Sequence, residues 1–221
     1  IKKLINKKET KFLNSYMDER IIEIPWVVNK LKKFNNKKIL DVGSTLNFKY
    51  LLDIFLKKNK IFFCNIFKEK NDFSSNQVSY IQNNILEGVF KNNFFDCVTV
   101  ISVLEHIGFD NSIYNIEYEN FKIKTSKNKL HYLKALKEIN RILKKGGKSF
   151  LSVPFGKKQY FKNYMQFDIN EINKLKKVFE LSKIKILFFK YDVNKKKWIK
   201  STANECKNVQ AISKNKIGIS S

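Results

Sequence analysis

Lys38–Asn47 reads KILDVGSTLN, an apolar run that passes through Asp41 and Gly43 into small polar residues before a helical pattern begins. The stretch has the form of a buried strand closed by a tight turn. In an open α/β sheet the ligand crevice lies beyond the carboxyl ends of the strands, where the first strand passes to its helix. Gly43 stands at that passage, and a glycine there lets the backbone adopt positive φ or approach a ligand closely. The residues that follow separate the ligand classes. A dinucleotide turn needs G-x-G-x-x-G, and Ser44, Thr45, Leu46, Asn47 and Phe48 supply no second glycine. No G-K-[ST] follows, which excludes a P-loop. A lone D-x-G is more often an ordinary strand-to-helix turn, so its meaning depends on what surrounds it.

On the amino-terminal side, residues 1–20 are basic and helix-prone, and a helix is expected from Glu23-Ile24-Pro25-Trp26, with Pro25 near its first position. On the other side, Phe48, Leu51, Leu52, Phe55 and Leu56 recur at helical spacing. Ile61–Phe67 and Val78–Ile81 read as buried strands, the latter followed by Asn83-Asn84. Phe94–Leu104, FFDCVTVISVL, is β-branched and nearly continuous, as a central parallel strand should be. Residues 108–128 are polar and irregular. Leu130–Leu143 is helical in period and stops at Lys144-Lys145-Gly146-Gly147, with cations and glycine placed as at a helix C-terminus. Ser149–Val153 is a strand, Asp168 caps a helix to Leu181, and Ile184–Phe189 and Ile217–Ile219 read as closing strands. Strands alternating with helices at this pace predict one α/β domain with a mostly parallel sheet.

The chain has 221 residues, 43% hydrophobic and 14% aromatic, enough for one packed domain. It opens on Ile1, so further N-terminal sequence is expected before it. With no membrane-length apolar run and no signal-peptide pattern, the expectation is a soluble, cytoplasmic protein without a membrane partner. The net charge is +24, yet of 44 Lys and Arg residues only Arg20 and Arg141 are arginines. Scattered lysines among Asn, Ile and Phe are what an AT-rich genome encodes, whereas nucleic-acid readers cluster their cations and favour Arg for bidentate contacts. Nucleic acid is therefore disfavoured as a partner, and a small anionic acceptor fits the charge. Cys64, Cys97 and Cys206 form no C-x-x-C pair, which argues against a disulfide framework and gives no metal site.

Taken in order, IFFCNIF, VSYIQNN, FFDCVTVISVLEHIG and LKEINRILKKGGKSFLSVPFG follow the opening turn. This succession resembles class I S-adenosylmethionine (SAM)-dependent methyltransferases over roughly Lys38–Gly156. The EIPW, SVLEHIG and SVPFG blocks together are most similar to small-molecule methyltransferases of bacterial surface-polysaccharide (capsule or lipopolysaccharide) gene clusters. The resemblance implies a Rossmann-like fold with a seven-stranded, mostly parallel sheet flanked by helices. It implies one domain over 1–221: an N-terminal cap at 1–36, a SAM-binding core at 37–156, an acceptor-side insertion at 108–129 and closing elements at 157–221. SAM is the implied cofactor, leaving as S-adenosylhomocysteine (SAH).

By the same resemblance, Asp41, Gly43, Ser44 and Thr45 pass along the methionine part of SAM. Asn65 and Ile66 stand at the ribose, where the family commonly holds a carboxylate. Asn83, Asn84 and Ile85 stand at the adenine, where an Asp is common. Thr45 and Asn47 occupy positions usually held by Gly. An amide can replace a carboxylate as a hydrogen-bond partner but loses the charge assistance, and Asn also serves as a plain turn residue. Ser102, Glu105 and His106 follow the central strand at the rim of the crevice. His106 is one of two histidines and is the candidate general base for a hydroxyl acceptor, with Glu105 beside it, although such a pair also serves as packing beneath a site. Asp110 and Tyr114 belong to the insertion that would line the acceptor. Arg20 and Glu23 are placed either to close over SAM or to form a surface ion pair. The expected function is methyl transfer to a sugar, nucleotide-linked sugar or related phosphate-bearing precursor, with O-methylation favoured. The alternatives are an RNA or DNA methyltransferase, against which Ser102-Val103-Leu104-Glu105 stands in place of [ND]-P-P-[YF], and a SAM-fold binding protein without activity. The oligomeric state is not legible.

Overall fold

The computed structural model describes residues 18–55, 59–111, 130–179 and 183–210. Tyr114, most of the 108–129 insertion, the segment before Asp18 and the strand expected at 217–219 lie outside the described residues.

Five strands make the main sheet: β1 (Lys38–Val42), β2 (Lys60–Asn65), β3 (Val78–Gln82), β4 (Phe95–Ile101) and β5 (Leu143–Ser152). Their order is β3-β2-β1-β4-β5 and every neighbouring pair is parallel. The period-2 alternation divides the core. Leu40, Val42, Cys64, Val98 and Val100 face α3 (His131–Ile142). Ile39, Ile61, Phe63, Cys97 and Ile101 face the opposite way, against α1 (Arg20–Leu31) and α2 (Lys49–Phe55). A strand buried on both faces reads as a nearly continuous apolar run, which is why β1 and β4 stood out in the sequence.

Several boundaries depart from the sequence reading for local reasons. α1 begins at Arg20, because the Asp18 carboxylate accepts the Arg20 amide at 2.9 Å and starts the turn early. Pro25 is thus inside the helix and leaves the Ile21 carbonyl without its usual donor. Complete burial of Val27, Val28 and Leu31 offsets that loss. α3 ends at Ile142 and β5 starts at once, so the Lys144–Gly147 segment is a bulge within the strand. Leu143 pairs with Phe95 but Lys148 already pairs with Cys97, and Gly146 takes φ +77° in the bulge.

Beyond the sheet, β6 (Gln159–Tyr160) and β7 (Met165–Gln166) form a short antiparallel hairpin. The α4 helix (Ile169–Val178) is capped by Asp168, whose carboxylate accepts the Glu171 amide, as expected. β8 (Phe188–Asp192) and β9 (Lys197–Ser201) pair with each other and not with the main sheet, and α5 (Ala203–Cys206) follows them. Among the described residues the main sheet therefore has five strands where seven were expected. β8 also starts later than the apolar pattern at Ile184 implied. No described helix is long and apolar enough to cross a membrane.

Candidate active site

All five strands run the same way, so their carboxyl ends share one edge. The chain leaves β1 toward β2 on one side and returns on the other as β4, which opens a crevice between the β1 and β4 ends. Gly43 (φ +81°) and Ser44 (φ +54°) turn the chain there, and the Gly43 amide donates to the Cys64 carbonyl at 2.8 Å. Asp41 lies beneath the turn with no exposure. Its carboxylate accepts the Leu46 amide at 2.8 Å and the Thr99 hydroxyl at 2.6 Å, so it holds the loop from below. Burial pushes the Asp41 carboxyl up to about 7 against the pull of those two bonds. A β-carbon on Gly43 would stand 2.4 Å from Val103 Cγ2, so the loops after β1 and β4 touch at this glycine.

Across the crevice mouth lies the first turn of α1. Arg20 Nη1 donates to the carbonyl of Ile101, the last residue of β4, at 2.9 Å, and Thr45 Oγ1 donates to the same oxygen at 3.0 Å. Arg20 also pairs with Glu23 at 3.2 Å, and Ser102 Oγ donates to the other Glu23 oxygen at 2.7 Å. Glu23 is 3% exposed, so this is no surface ion pair. Ser102 takes φ +47°, a conformation a serine enters only under constraint. Its amide is held by Ser152 Oγ at 3.0 Å.

Glu105 is buried, and desolvation raises its carboxyl well above the ordinary range, with the nearby Glu23 and Glu19 adding to the effect. His106 Nδ1 lies 2.7 Å from the Asn163 carbonyl, at the turn of the β6–β7 hairpin. A carbonyl can only accept, so Nδ1 carries the proton of the neutral ring and Nε2 carries the lone pair. Burial lowers the His106 pKa, with Arg20 acting in the same direction. Tyr164 packs against the imidazole at 5.8 Å and stacks on Phe161 at 4.4 Å. Asp110 is paired with Lys162 of the same hairpin at 3.7 Å.

On the other side, Asn65 at the tip of β2 donates to Glu69 at 2.8 Å and accepts the Phe67 amide at 3.3 Å. Ile66 follows it, partly exposed. Asn84 accepts the Leu86 amide at 3.1 Å and caps the 3₁₀ turn Ile85–Glu87, in which Ile85 is buried in the core. The Asn83 amide donates to the Asn65 carbonyl at 2.8 Å. The strand ends thus bring together Gly43, Ser44, Thr45, Ser102, Arg20, Glu105 and His106 on one side, with Asn65, Asn83 and Asn84 on the other. Sequence reasoning missed Glu69 and the β6–β7 hairpin. Glu69 lies four residues past the strand tip, and the only signal for it was a carboxylate in a lysine-rich loop.

The edge also holds hydrogen-bonding capacity that the protein does not use. Ser44 Oγ, Asn83 Oδ1 and Glu105 Oε2 are buried without a partner among the described residues, one each after β1, β3 and β4. Such atoms are costly to leave unmet and gather where a polar ligand is received. A ligand with an amino acid group, a ribose and an adenine presents polar atoms along that whole edge. Among the described residues no group of three His, Cys, Asp or Glu side chains is arranged to hold a metal ion.

The comparisons agree with this geometry. Residues 43–151 match the methyltransferase domain family. An uncharacterised protein of Methanocaldococcus jannaschii is 36% identical over 155 residues, 65% of this chain and 52% of that protein, so the match spans about half the relative's length. A protein of Galdieria sulphuraria proposed to be a sarcosine dimethylglycine methyltransferase shares the fold with a TM-score of 0.51 at 15% identity, over 75% of this chain and 60% of its own. The 1,6-didemethyltoxoflavin-N1-methyltransferase of Burkholderia thailandensis, solved with SAH, gives a TM-score of 0.48 at 14% identity over 65% and 59%. Residues 43–151 are thus similar in sequence to a methyltransferase domain family, and they supply most of the parallel sheet and the crevice at Gly43.

Proposed function

We propose that the chain methylates a hydroxyl group of a small acceptor, with His106 as the base. The observation that carries this reading is the bond from His106 Nδ1 to the Asn163 carbonyl. It leaves Nε2 as the proton acceptor, in a ring whose pKa is lowered, so that the base form prevails near neutral pH. SAM supplies a methyl group on a positively charged sulfur. The loop at Gly43–Thr45 would lie along its methionine part, Asn65 near its ribose, and Asn83 and Asn84 near its adenine. Arg20 and Glu23 hold the end of β4, and Thr45 joins the loop after β1 to the same Ile101 carbonyl, so that this surface is formed in advance. Glu105, held as the neutral acid by burial, does not compete for the proton. Alignment of the acceptor oxygen with the methyl carbon supplies the rest of the acceleration.

The acceptor side is bounded by Asp110 and the β6–β7 hairpin, with Phe161, Tyr164, Lys158 and Lys162. Aromatic faces and lysines suit a sugar ring bearing a phosphate or carboxylate. The EIPW, SVLEHIG and SVPFG blocks support a sugar or nucleotide-linked sugar destined for a surface polysaccharide. The test is methyl transfer from isotope-labelled SAM to sugar phosphates, nucleotide sugars and total RNA in parallel. Label on the sugar compounds, lost with His106→Asn, is the expected result, and label on RNA alone overturns the reading.

A further inference from the structure

The geometry points to Glu69 as the side chain that binds the ribose diol of SAM, a role that rests on the SAM-dependent reading above and that the loop after β2 builds from two asparagines. Asn65 Nδ2 donates to Glu69 Oε1 at 2.8 Å, and Asn47 Nδ2 donates to Glu69 Oε2 at 2.7 Å. Each carboxylate oxygen therefore has one amide donor. An ionised carboxylate offers about four lone-pair sites, so about one per oxygen remains. Two free acceptors a carboxylate's width apart match two neighbouring hydroxyl donors.

Three further observations place this carboxylate in the crevice. Asn47 belongs to the loop after β1 and Asn65 is the last residue of β2, so Glu69 is clasped from both loops that border the Gly43 turn. Asn47 is itself fixed, since its Oδ1 accepts the Tyr80 hydroxyl at 2.9 Å and its Nδ2 also reaches the Asn71 carbonyl at 2.9 Å. Among the described residues no lysine or arginine forms an ion pair with Glu69, although basic residues number 44 against 20 acidic ones. Neutral amides orient the carboxylate and leave its charge for an incoming donor, where charge assistance strengthens the bond. The two asparagines that depart from the family pattern thus act together, because both carry the carboxylate that the strand tip lacks.

The test is calorimetric binding of SAH, its 2′-deoxy analogue and its 3′-deoxy analogue to the whole chain. The unaltered protein should prefer SAH about ten- to hundredfold over either analogue. Glu69→Ala should bring the three affinities close together, and Asn65→Asp in that background should restore the preference by returning a carboxylate to the strand tip. Asn47→Ala, which loosens the clasp but keeps the carboxylate, should weaken binding and retain most of the preference. If Glu69→Ala weakens all three ligands equally and the preference persists, Glu69 is only a clasp and the inference fails. If Glu69→Ala binds none of them, recovery of selective binding in the Asn65→Asp double variant supports it, and no recovery overturns it. Failure of the unaltered chain to bind SAH at all would count against the SAM-dependent reading itself, a separate result.

Discussion

The two ends of the same parallel sheet are built on opposite terms. At the amino end, Asp96 accepts the Lys38 amide at 2.9 Å and Lys144 Nζ at 3.0 Å, with Lys37 at 3.7 Å. Burial pushes the Asp96 carboxyl up, but the Lys38 amide and Lys144 outweigh it and leave the carboxyl below its ordinary range. Asn59 spends its capacity on Lys37, Phe34 and Phe55. The left-handed residues there other than Gly146 are Asn36 and Asn93, a type that tolerates that conformation. At the carboxyl end the left-handed positions fall to Gly43, Ser44 and Ser102, the buried carboxyls of Asp41 and Glu105 are raised, and three polar atoms lack partners. One end is satisfied, while the other keeps unmet polar atoms and left-handed serines, and backbone strain of that kind persists only where the surrounding structure holds it.

The largest test of this contrast is catalytic. His106→Asn should lower kcat by about two to four orders of magnitude, the range for loss of a general base, while SAH affinity changes little. The pH–rate profile should lose its acidic limb, which single-turnover assays across pH 5–9 would show. Near-normal turnover in a folded variant would return His106 to the frame. Next in size is Gly43→Val. The new side chain meets Val103 and needs φ +81°, so unfolding in urea should show a loss of about 3–5 kcal/mol. Adding Val103→Ala should recover part of that and leave the cost of the backbone conformation.

How much of this contrast was legible in the sequence depends on range. β4 and Gly43 announced themselves because a buried strand needs a run of apolar residues and a tight turn needs a glycine, both local demands. Asp168 was legible as a cap for the same reason. Glu69 was not, because its surroundings are set by Asn47 and Asn65, which meet it only after β1 and β2 pair. The β6–β7 hairpin has two residues per strand, too few for any period to show, and yet its turn sets the tautomer of His106. The early start of α1 rests on a single carboxylate at Asp18.

The remaining tests use pH, since the two ends should respond with opposite sign. Asp41 is pushed up to about 7, so between about pH 4 and that value the folded chain holds a proton the unfolded chain has released. Its contribution to stability is full at low pH and is lost as pH rises through this window. Asp41→Asn should remove that decline, a difference of about 2–4 kcal/mol between pH 4 and pH 8 when both proteins are unfolded in urea. Asp96 runs the other way: its carboxyl lies below the ordinary range, so its contribution is present above about pH 4 and lost as pH falls further. Asp96→Asn should cost about 1 kcal/mol at pH 7 and nothing once the carboxyl of the parent protein is protonated. Equal slopes for both variants would erase the distinction between the two ends.

α1 has a consequence for how the crevice can be watched. The chain contains two tryptophans. Trp26 is on α1 and packs edge-on against Phe150 at 5.8 Å, while Trp198 on β9 is 1% exposed and packs against Ile22 of the same helix. Both indoles therefore report on one element, the helix whose Arg20 and Glu23 bond to Ile101 and Ser102 at the end of β4. Any event that shifts that helix alters the surroundings of both fluorophores together, so the ultraviolet emission of the unlabelled protein is an optical gauge of the crevice.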